Sequence, residues 1–149
     1  MTRNSDPRSI LSHSRVLPFP VEQVFEAYRD PTQLSRWWGP AGFRNTFEVF
    51  EFMPDGRWIF VMHGPNGVDY ANECRFRIIE PCARIVIEHV VEPWFQLTAT
   101  MSSEDGGTLL RWEQEFESPE MAERVRAICG PANEENFDRL TELLRSRNS

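Results

Sequence analysis

The sequence lacks the features that mark several large classes of protein. No apolar run approaches the roughly 20 residues that a helix needs to span a bilayer, and residues 1–14 are polar, without the apolar segment of a signal peptide. No basic cluster exceeds two adjacent residues, and the net charge is −7. Because a nucleic-acid-binding protein needs a basic face to displace counterions, we expect a cytoplasmic protein whose partners include neither nucleic acid nor a membrane.

Cysteine and histidine are scarce, and their spacing argues against a metal site. The three cysteines, Cys74, Cys82 and Cys129, are odd in number and widely separated, unlike a disulfide framework. No HxxxH or HExxH pattern occurs, and no cysteine lies at metal-ligand spacing from a histidine. The GxSxG, GxGxxG and P-loop motifs are also absent. The sequence therefore predicts no metal and no cofactor.

Aromatic residues, by contrast, are abundant. The chain has five tryptophans and eleven phenylalanines among 149 residues, and each of these side chains buries a large area. They support one hydrophobic core, and they also fit the lining of an apolar cavity. We expect one domain over residues 1–149, with residues 1–8 as a loose tail.

The N-terminal part of the chain predicts a strand and two short helices. Residues 9–17 form the strand, which prolines end. The apolar residues of the first helix recur at helical spacing, and they are Val21, Val24, Phe25 and Tyr28. Asp30 and Pro31 are suited to an N-cap and a first helical turn, and they predict a second helix that runs to about Trp37.

The middle of the chain alternates between apolar and polar residues, which predicts a sheet. The predicted strands are residues 45–53, 57–63, 68–79, 84–91, 94–102 and 108–117. Turn sequences at residues 54–56 and 64–67 separate the first three of these strands from one another. Because no connection is long enough for parallel pairing, we expect a curved antiparallel sheet of about six to seven strands.

The C-terminal region predicts helices. Ser118 and Pro119 form a helix start, and Gly130 with Pro131 predicts an interruption. The apolar stripe expected before the interruption consists of Met121, Val125 and Ile128. A last helix is then predicted from about Pro131 to Arg145. The whole pattern is that of an α+β domain.

The two faces of the predicted sheet differ in polarity, because successive side chains of a strand point to opposite sides. One face is charged, and the other is apolar and aromatic with a few polar residues. A single helix does not fill the concavity of a wide curved sheet, so we expect a cavity beneath the last helix. The candidate ligand-binding residues are Trp38, Trp58, Phe60, Tyr70, Asn72, Phe76, His89, Phe95, Trp112, Gln114, Asn133 and Phe137.

His89 is the one candidate for a catalytic residue, since imidazole titrates near neutral pH. In an enzyme it would act as acid or base, and Tyr70 or Asn72 would orient the substrate. Two other interpretations stay open for His89: a hydrogen-bonded core histidine, or a surface histidine if the strand has the opposite phase.

Several segments resemble one known family in order and spacing. They are residues 15–43, 54–58, 62–70, 80–81, 107–108 and 137–140, which include Trp37-Trp38-Gly39-Pro40 and Met62-His63-Gly64-Pro65. Over about residues 9–145 the chain resembles the family named for the activator of heat-shock-protein-90 ATPase, within the START-like, or Bet v 1-like, superfamily. The resemblance implies a helix-grip fold with a long C-terminal helix across a curved sheet and a ligand cavity between them. Two positions depart from the family pattern, which often has a Gly-Trp pair where this chain has residues 133–136, and a glycine where it has Asp55.

The hypotheses for function belong to three classes. The first is a binding protein for an apolar, lipid-like or polyketide-like small molecule. The second, implied by superfamily relatives, is a cyclase- or dehydratase-type enzyme acting in the cavity. The third, implied by the family name, is a stress-response protein that binds a chaperone. The surplus of aromatic residues also leaves a homodimer open as a partner.

Overall fold

The computed structural model describes residues 6–148 and contains an antiparallel sheet of seven strands with three helices. The strands are β1 (Ile10–Leu17), β2 (Arg44–Phe50), β3 (Gly56–His63), β4 (Asp69–Glu80), β5 (Arg84–His89), β6 (Phe95–Glu104) and β7 (Gly107–Phe116). The helices are α1 (Val21–Arg29), α2 (Pro31–Trp37) and α3 (Pro119–Arg147). The order across the sheet is β1-β7-β6-β5-β4-β3-β2. The predicted α+β class, with two short helices after the first strand, is confirmed.

The chain enters β1 through one turn of 3-10 helix at Pro7–Ser9. The carboxylate of Asp6 accepts a hydrogen bond from the Arg8 N–H, and Ser9 is buried. Residues 1–5 of the predicted tail lie outside the described residues. At positions 7 and 8, where a loose tail was also expected, the chain is instead folded into this turn.

The structure corrects the predicted break in the C-terminal region, because α3 runs through Gly130 and Pro131 as one helix. A proline removes one N–H donor from a helix, which here leaves the carbonyl of Ala127 without its usual partner. Packing on both sides of the proline outweighs this loss. Ala122 is buried against Leu11 and Phe116 on one side, and several residues lie in the main core on the other, namely Phe137, Leu140 and Leu144.

The apolar stripe predicted for the first part of α3 is partly wrong. Met121 and Val125 pack against the smaller core cluster, as expected, but the third member of the contacting row is Cys129. Ile128 is 73% exposed. A spacing of four residues keeps side chains on one face of a helix, so Cys129 continues the row and Ile128 falls beside it.

The concave face of the sheet carries the core. Its inward residues follow the alternation expected from the sequence, with Trp58 and Phe60 on β3, Cys74 and Phe76 on β4, and Trp112 on β7. The register shifts between Phe76 and Ile78, and beyond the shift Ile79 packs against the core. Strict alternation from Phe76 would place Ile78 on the inward face instead, but a β-bulge reverses the phase of the strand after it.

Candidate functional site

A cavity of about 220 Å³ lies between α3 and the concave face of the sheet. Three groups of residues enclose it. The helix contributes Cys129, Asn133 and Asn136. The segment after α2 contributes Trp38, Gly39 and Pro40. The sheet contributes Phe60, Met62, Asn72, Cys74, His89, Phe95, Leu97, Trp112 and Gln114. The sheet residues come from β3 to β7, so the cavity follows the curvature of the sheet beneath the helix.

The segment at residues 38–43 closes one side of the cavity, and Arg139 of α3 holds it in place. Nη1 of Arg139 donates to three backbone carbonyls and Nη2 to two more, at 2.7 to 3.1 Å. These carbonyls belong to Trp38, Gly39, Pro40, Arg36 and Phe43. Within the described residues no carboxylate pairs with this guanidinium. Burial accordingly lowers the pKa of Arg139 below its ordinary value.

Asn136, one turn before Arg139, fastens the start of the same segment. Its Nδ2 donates to the carbonyl of Trp37 at 2.6 Å, and its Oδ1 accepts from the N–H of Gly39 at 3.2 Å. Gly39 has a φ of +97°, and an added Cβ would lie 2.7 Å from the terminal methyl of Met62. The positive φ favours glycine at this point of the wall, whereas the methyl of Met62 ends a flexible side chain that can move.

Aromatic rings form the apolar wall of the cavity. The ring centroid of Trp38 lies 5.7 Å from that of Trp112 and 5.1 Å from that of Trp58. Trp112 also packs edge-on against Phe137, with centroids 4.9 Å apart. Its indole N–H donates to the hydroxyl of Tyr28 at 2.9 Å, so the polar atom of Trp112 is satisfied away from the cavity. Burial raises the pKa of Tyr28 above its ordinary value.

His89 lies in the wall of the cavity and is almost fully buried. Its Nδ1 is 2.9 Å from the carbonyl oxygen of Pro93, and its Nε2 is 2.8 Å from Oδ1 of Asn72. Its ring stacks on Phe95, with centroids 4.7 Å apart and an interplanar angle of 8°. The pKa of His89 is lowered, and the main cause is burial. Hydrogen bonds to the backbone at Pro93 and Val91 raise the pKa by a smaller amount. A neutral imidazole carries one N–H, so His89 donates to one of these two oxygens, while both ring nitrogens lie against atoms of the protein.

A second polar pair crosses from the sheet to the helix. The Nδ2 of Asn133 on α3 donates to Oε1 of Gln114 on β7 at 3.0 Å. Gln114 is 8% exposed, and both side chains line the cavity. Cys74 and Cys129 lie in the same wall as thiols whose pKa is raised by burial. Burial therefore keeps both cysteines protonated and weakly reactive.

Most of the predicted ligand-binding residues line the cavity, and four do not. Trp58, Phe76 and Phe137 are buried behind the wall in the core. Tyr70 is 45% exposed, and its ring packs on Phe43 with centroids 6.0 Å apart. The residues that line the cavity as expected are Trp38, Phe60, Asn72, His89, Phe95, Trp112, Gln114 and Asn133.

Several lining residues were missed by the sequence analysis. Met62 and Cys74 have the strand phase of predicted neighbours, so the alternation itself could have found them. Asn136 lies one turn after Asn133 on the same face of α3 and could have been found by helical spacing. Gly39 and Pro40 lie in a segment without regular structure, where no periodic signal exists.

A hydroxyl, an imidazole and a carboxylate also meet on the opposite face of the sheet. Thr46 Oγ1 is 2.7 Å from Nε2 of His63, and Nδ1 of His63 is 2.8 Å from Oδ1 of Asp69. The order matches a nucleophile, base and orienting acid. Thr46 and Asp69 are exposed, however, and none of the three residues lines the cavity. Without a pocket or an oxyanion site this chain of contacts does not make a catalytic centre.

Residues 6–148 lack two further features. No group of three or more His, Cys, Asp or Glu side chains is arranged to hold a metal ion. No helix in this part of the chain is both long and apolar enough to cross a bilayer.

The long helix across a curved antiparallel sheet, with a cavity beneath it, defines a helix-grip protein. Comparison with known families then places residues 18–145 under the family described as activator of Hsp90 ATPase homolog 1-like protein. The chain belongs to this family, which confirms the resemblance seen in its motifs. No curated protein matches the chain.

Solved structures share the whole fold at low sequence identity. A protein from Nitrosomonas europaea is 19% identical, with a TM-score of 0.88 over 96% of this chain and 98% of that one. A protein from Arthrobacter aurescens is 23% identical, with a TM-score of 0.85 over 96% and 91% of the two chains. A protein from Rhodobacter sphaeroides is 25% identical, with a TM-score of 0.83 over 96% and 97%.

Proposed function

We propose that this protein binds a small, largely aromatic molecule in the cavity between α3 and the sheet. The observation that carries the proposal is the composition of the wall, in which aromatic and aliphatic side chains surround a few polar groups. Such a wall is typical of small-molecule sites. Removal of apolar ligand surface from water supplies the driving force.

The size of the cavity narrows the range of ligands. An apolar cavity of about 150 Å³ is large enough for benzene, whereas sites for drug-sized molecules are about 300–1,000 Å³. At about 220 Å³ this cavity suits a molecule of one or two rings. The lipid-like or polyketide-like ligand expected from the sequence would require the cavity to widen.

The expected affinity is modest. One aromatic ring buries about 200 Å², which gives about 5 kcal/mol at about 25 cal/mol per Å². That free energy corresponds to a Kd between about 1 mM and 0.1 mM. A screen for ligands therefore needs millimolar compound concentrations.

The experiment is a thermal-shift screen of one- and two-ring aromatic compounds, with native mass spectrometry of the hits. Cys129→Trp should fill the cavity and abolish the shifts, because Cys129 faces the cavity from α3. Ile128→Trp is the matched control, since it adds the same ring to the adjacent, 73% exposed position. Hits that survive in Cys129→Trp would place the binding elsewhere. The absence of any hit on the parent protein would reject the proposal.

Catalysis in the cavity is less well supported than binding. A general acid or base must reach the substrate with a free polar atom, and both nitrogens of His89 already lie against oxygen atoms of the protein. Turnover of an identified ligand, lost in His89→Gln while binding persists, would favour the enzyme instead.

The family description supports a second candidate, in which the protein binds a heat-shock chaperone. The match over residues 18–145 is the observation that favours it. It predicts that saturating protein raises the ATPase rate of the host's own chaperone. The native mass spectra of the ligand screen also report whether the protein forms the homodimer that the sequence leaves open.

A further inference from the structure

The polar groups in the cavity wall divide into satisfied and unsatisfied ones. Asn72 lies in internal contacts, because its Nδ2 donates to the carbonyl of Tyr70 at 3.0 Å and its Oδ1 lies 2.8 Å from Nε2 of His89. Asn136 uses both ends of its amide to hold the segment after α2. The carbonyls of Gly39 and Pro40 accept from Arg139. None of these groups is available to a ligand without breaking an internal bond.

Gln114 and Asn133 are the exception. One hydrogen bond joins them, from Asn133 Nδ2 to Gln114 Oε1. Among the described residues, Gln114 Nε2 and Asn133 Oδ1 have no hydrogen-bond partner in the protein. Neither belongs to the side-chain atoms that are closed off from solvent without a partner, so both stay accessible from the cavity that their residues line. The pair therefore offers the cavity one N–H donor and one oxygen acceptor, and it would do so equally if both amides were turned over.

The cavity wall carries no charged side chain within residues 6–148, because its lining contains no Arg, Lys, Asp or Glu. Its one imidazole, His89, has a lowered pKa and is neutral near neutral pH. An ion that entered would lose its hydration without gaining a counter-ion, which is unfavourable. The wall thus selects for a neutral ligand.

We propose that the cavity is specific for a neutral aromatic carboxamide or lactam, whose oxygen accepts from Gln114 Nε2 and whose N–H donates to Asn133 Oδ1. The planar ring then packs among Trp38, Trp112 and Phe95. This inference rests on the proposed function and adds the chemical class of the ligand. It makes Gln114 and Asn133 the residues that determine specificity, while the aromatic wall supplies affinity.

The test uses three probes with the same number of heavy atoms: benzamide, isopropylbenzene and benzoate. Their Kd values are measured by calorimetry or ligand-observed NMR on the parent and on the double variant Gln114→Leu/Asn133→Leu. The double variant removes both polar partners together, so neither is left unpaired. The ratio of the benzamide Kd to the isopropylbenzene Kd should rise about tenfold or more, the equivalent of two lost hydrogen bonds. A change in cavity shape that weakens both ligands equally leaves this ratio of Kd values unchanged.

Each outcome decides one question. An unchanged ratio, with both ligands still bound, overturns the amide specificity and leaves the binding function standing. Benzoate that binds the parent as tightly as benzamide at pH 7 overturns the requirement for a neutral ligand. Failure of all three probes on the parent, together with a blank aromatic screen, rejects the binding function and this inference with it. If the double variant does not fold, Gln114→Met, which is nearly isosteric, removes the donor alone, and the same ratio should then rise about threefold or more, the equivalent of one lost hydrogen bond.

Discussion

The two halves of α3, before and after Gly130 and Pro131, are anchored to the molecule in different ways. The second half buries Phe137, Leu140 and Leu144 in the main core. The first half buries only Ala122 completely, and it rests on a small cluster with Leu11 and Phe116. Its other contacting residues are half-buried, and Ile128 points into solvent.

The two halves of α3 also differ in their polar contacts with the rest of the molecule. In the second half, Asn136 and Arg139 hold the segment at residues 38–43 through several backbone hydrogen bonds. In the first half, the one partner of Arg126 among residues 6–148 is Glu123 on the same helix, and the pair is exposed. Regions with few buried contacts open at lower free energy than the core. We therefore expect the first half to be the part of the cavity wall that opens for a ligand.

The largest effect should come from Phe137→Ala. Removal of a fully buried phenylalanine costs about 3–5 kcal/mol, and Phe137 is fully buried against Trp112. Val125→Ala, in the first half, should cost about 1 kcal/mol or less because Val125 is only partly buried. Denaturant unfolding measures both values. Equal losses would show that the two halves are anchored equally.

The next effect should come from Arg139→Met, which keeps the length of the side chain but removes its five hydrogen bonds to backbone carbonyls. Hydrogen bonds to a charged group contribute about 1.5–3 kcal/mol each when lost singly; since water can reach some of these carbonyls in the variant, we expect a total loss of about 2–3 kcal/mol. Amide hydrogen exchange should increase at residues 38–43. Arg126→Met is the matched control and should cost about 0.5 kcal/mol or less. A comparable loss in both variants would contradict the holding role of Arg139.

A smaller effect should appear with pH, at His89 on the sheet side of the cavity. Its pKa is lowered in the folded protein, whereas histidine in an unfolded chain titrates near about 6.5. Below that pH the unfolded chain binds the proton first, so the free energy of unfolding should fall as the pH decreases, until the lower pKa of the folded state is reached. His89→Gln should flatten this dependence in urea titrations between pH 5 and about 6.5. An unchanged slope would mean that His89 is protonated equally easily in the folded state.

The sequence predicted the parts of the molecule that have a regular period. The alternation in β3, β4 and β7 indicated which side chains face α3, and most of the predicted ligand-binding residues lie in the cavity wall. It failed where the period changes, as at the bulge after Phe76. Nor could it show that Tyr70 lies at the exposed end of its strand, because alternation gives the face of a residue but not its depth in the fold.

The continuity of α3 was also beyond local sequence signals. Gly130 and Pro131 favour a break, and the helix continues because tertiary contacts hold it on both sides. The role of Arg139 was likewise hidden, since its partners are backbone carbonyls and carry no signature in the sequence.

The smallest effect should come from Gly130→Ala, which tests the junction between the two halves. A Cβ added at Gly130 meets nothing within 4 Å, so the substitution causes no clash, and alanine is favoured over glycine inside a helix by about 0.5–1 kcal/mol. If the first half opens at this junction, the gain should appear as slower hydrogen exchange at residues 119–130, with residues 132–145 nearly unchanged. Slower exchange spread evenly over α3 would instead mean that the helix opens as one unit. In that case the ligand would enter the cavity through a movement of the segment at residues 38–43.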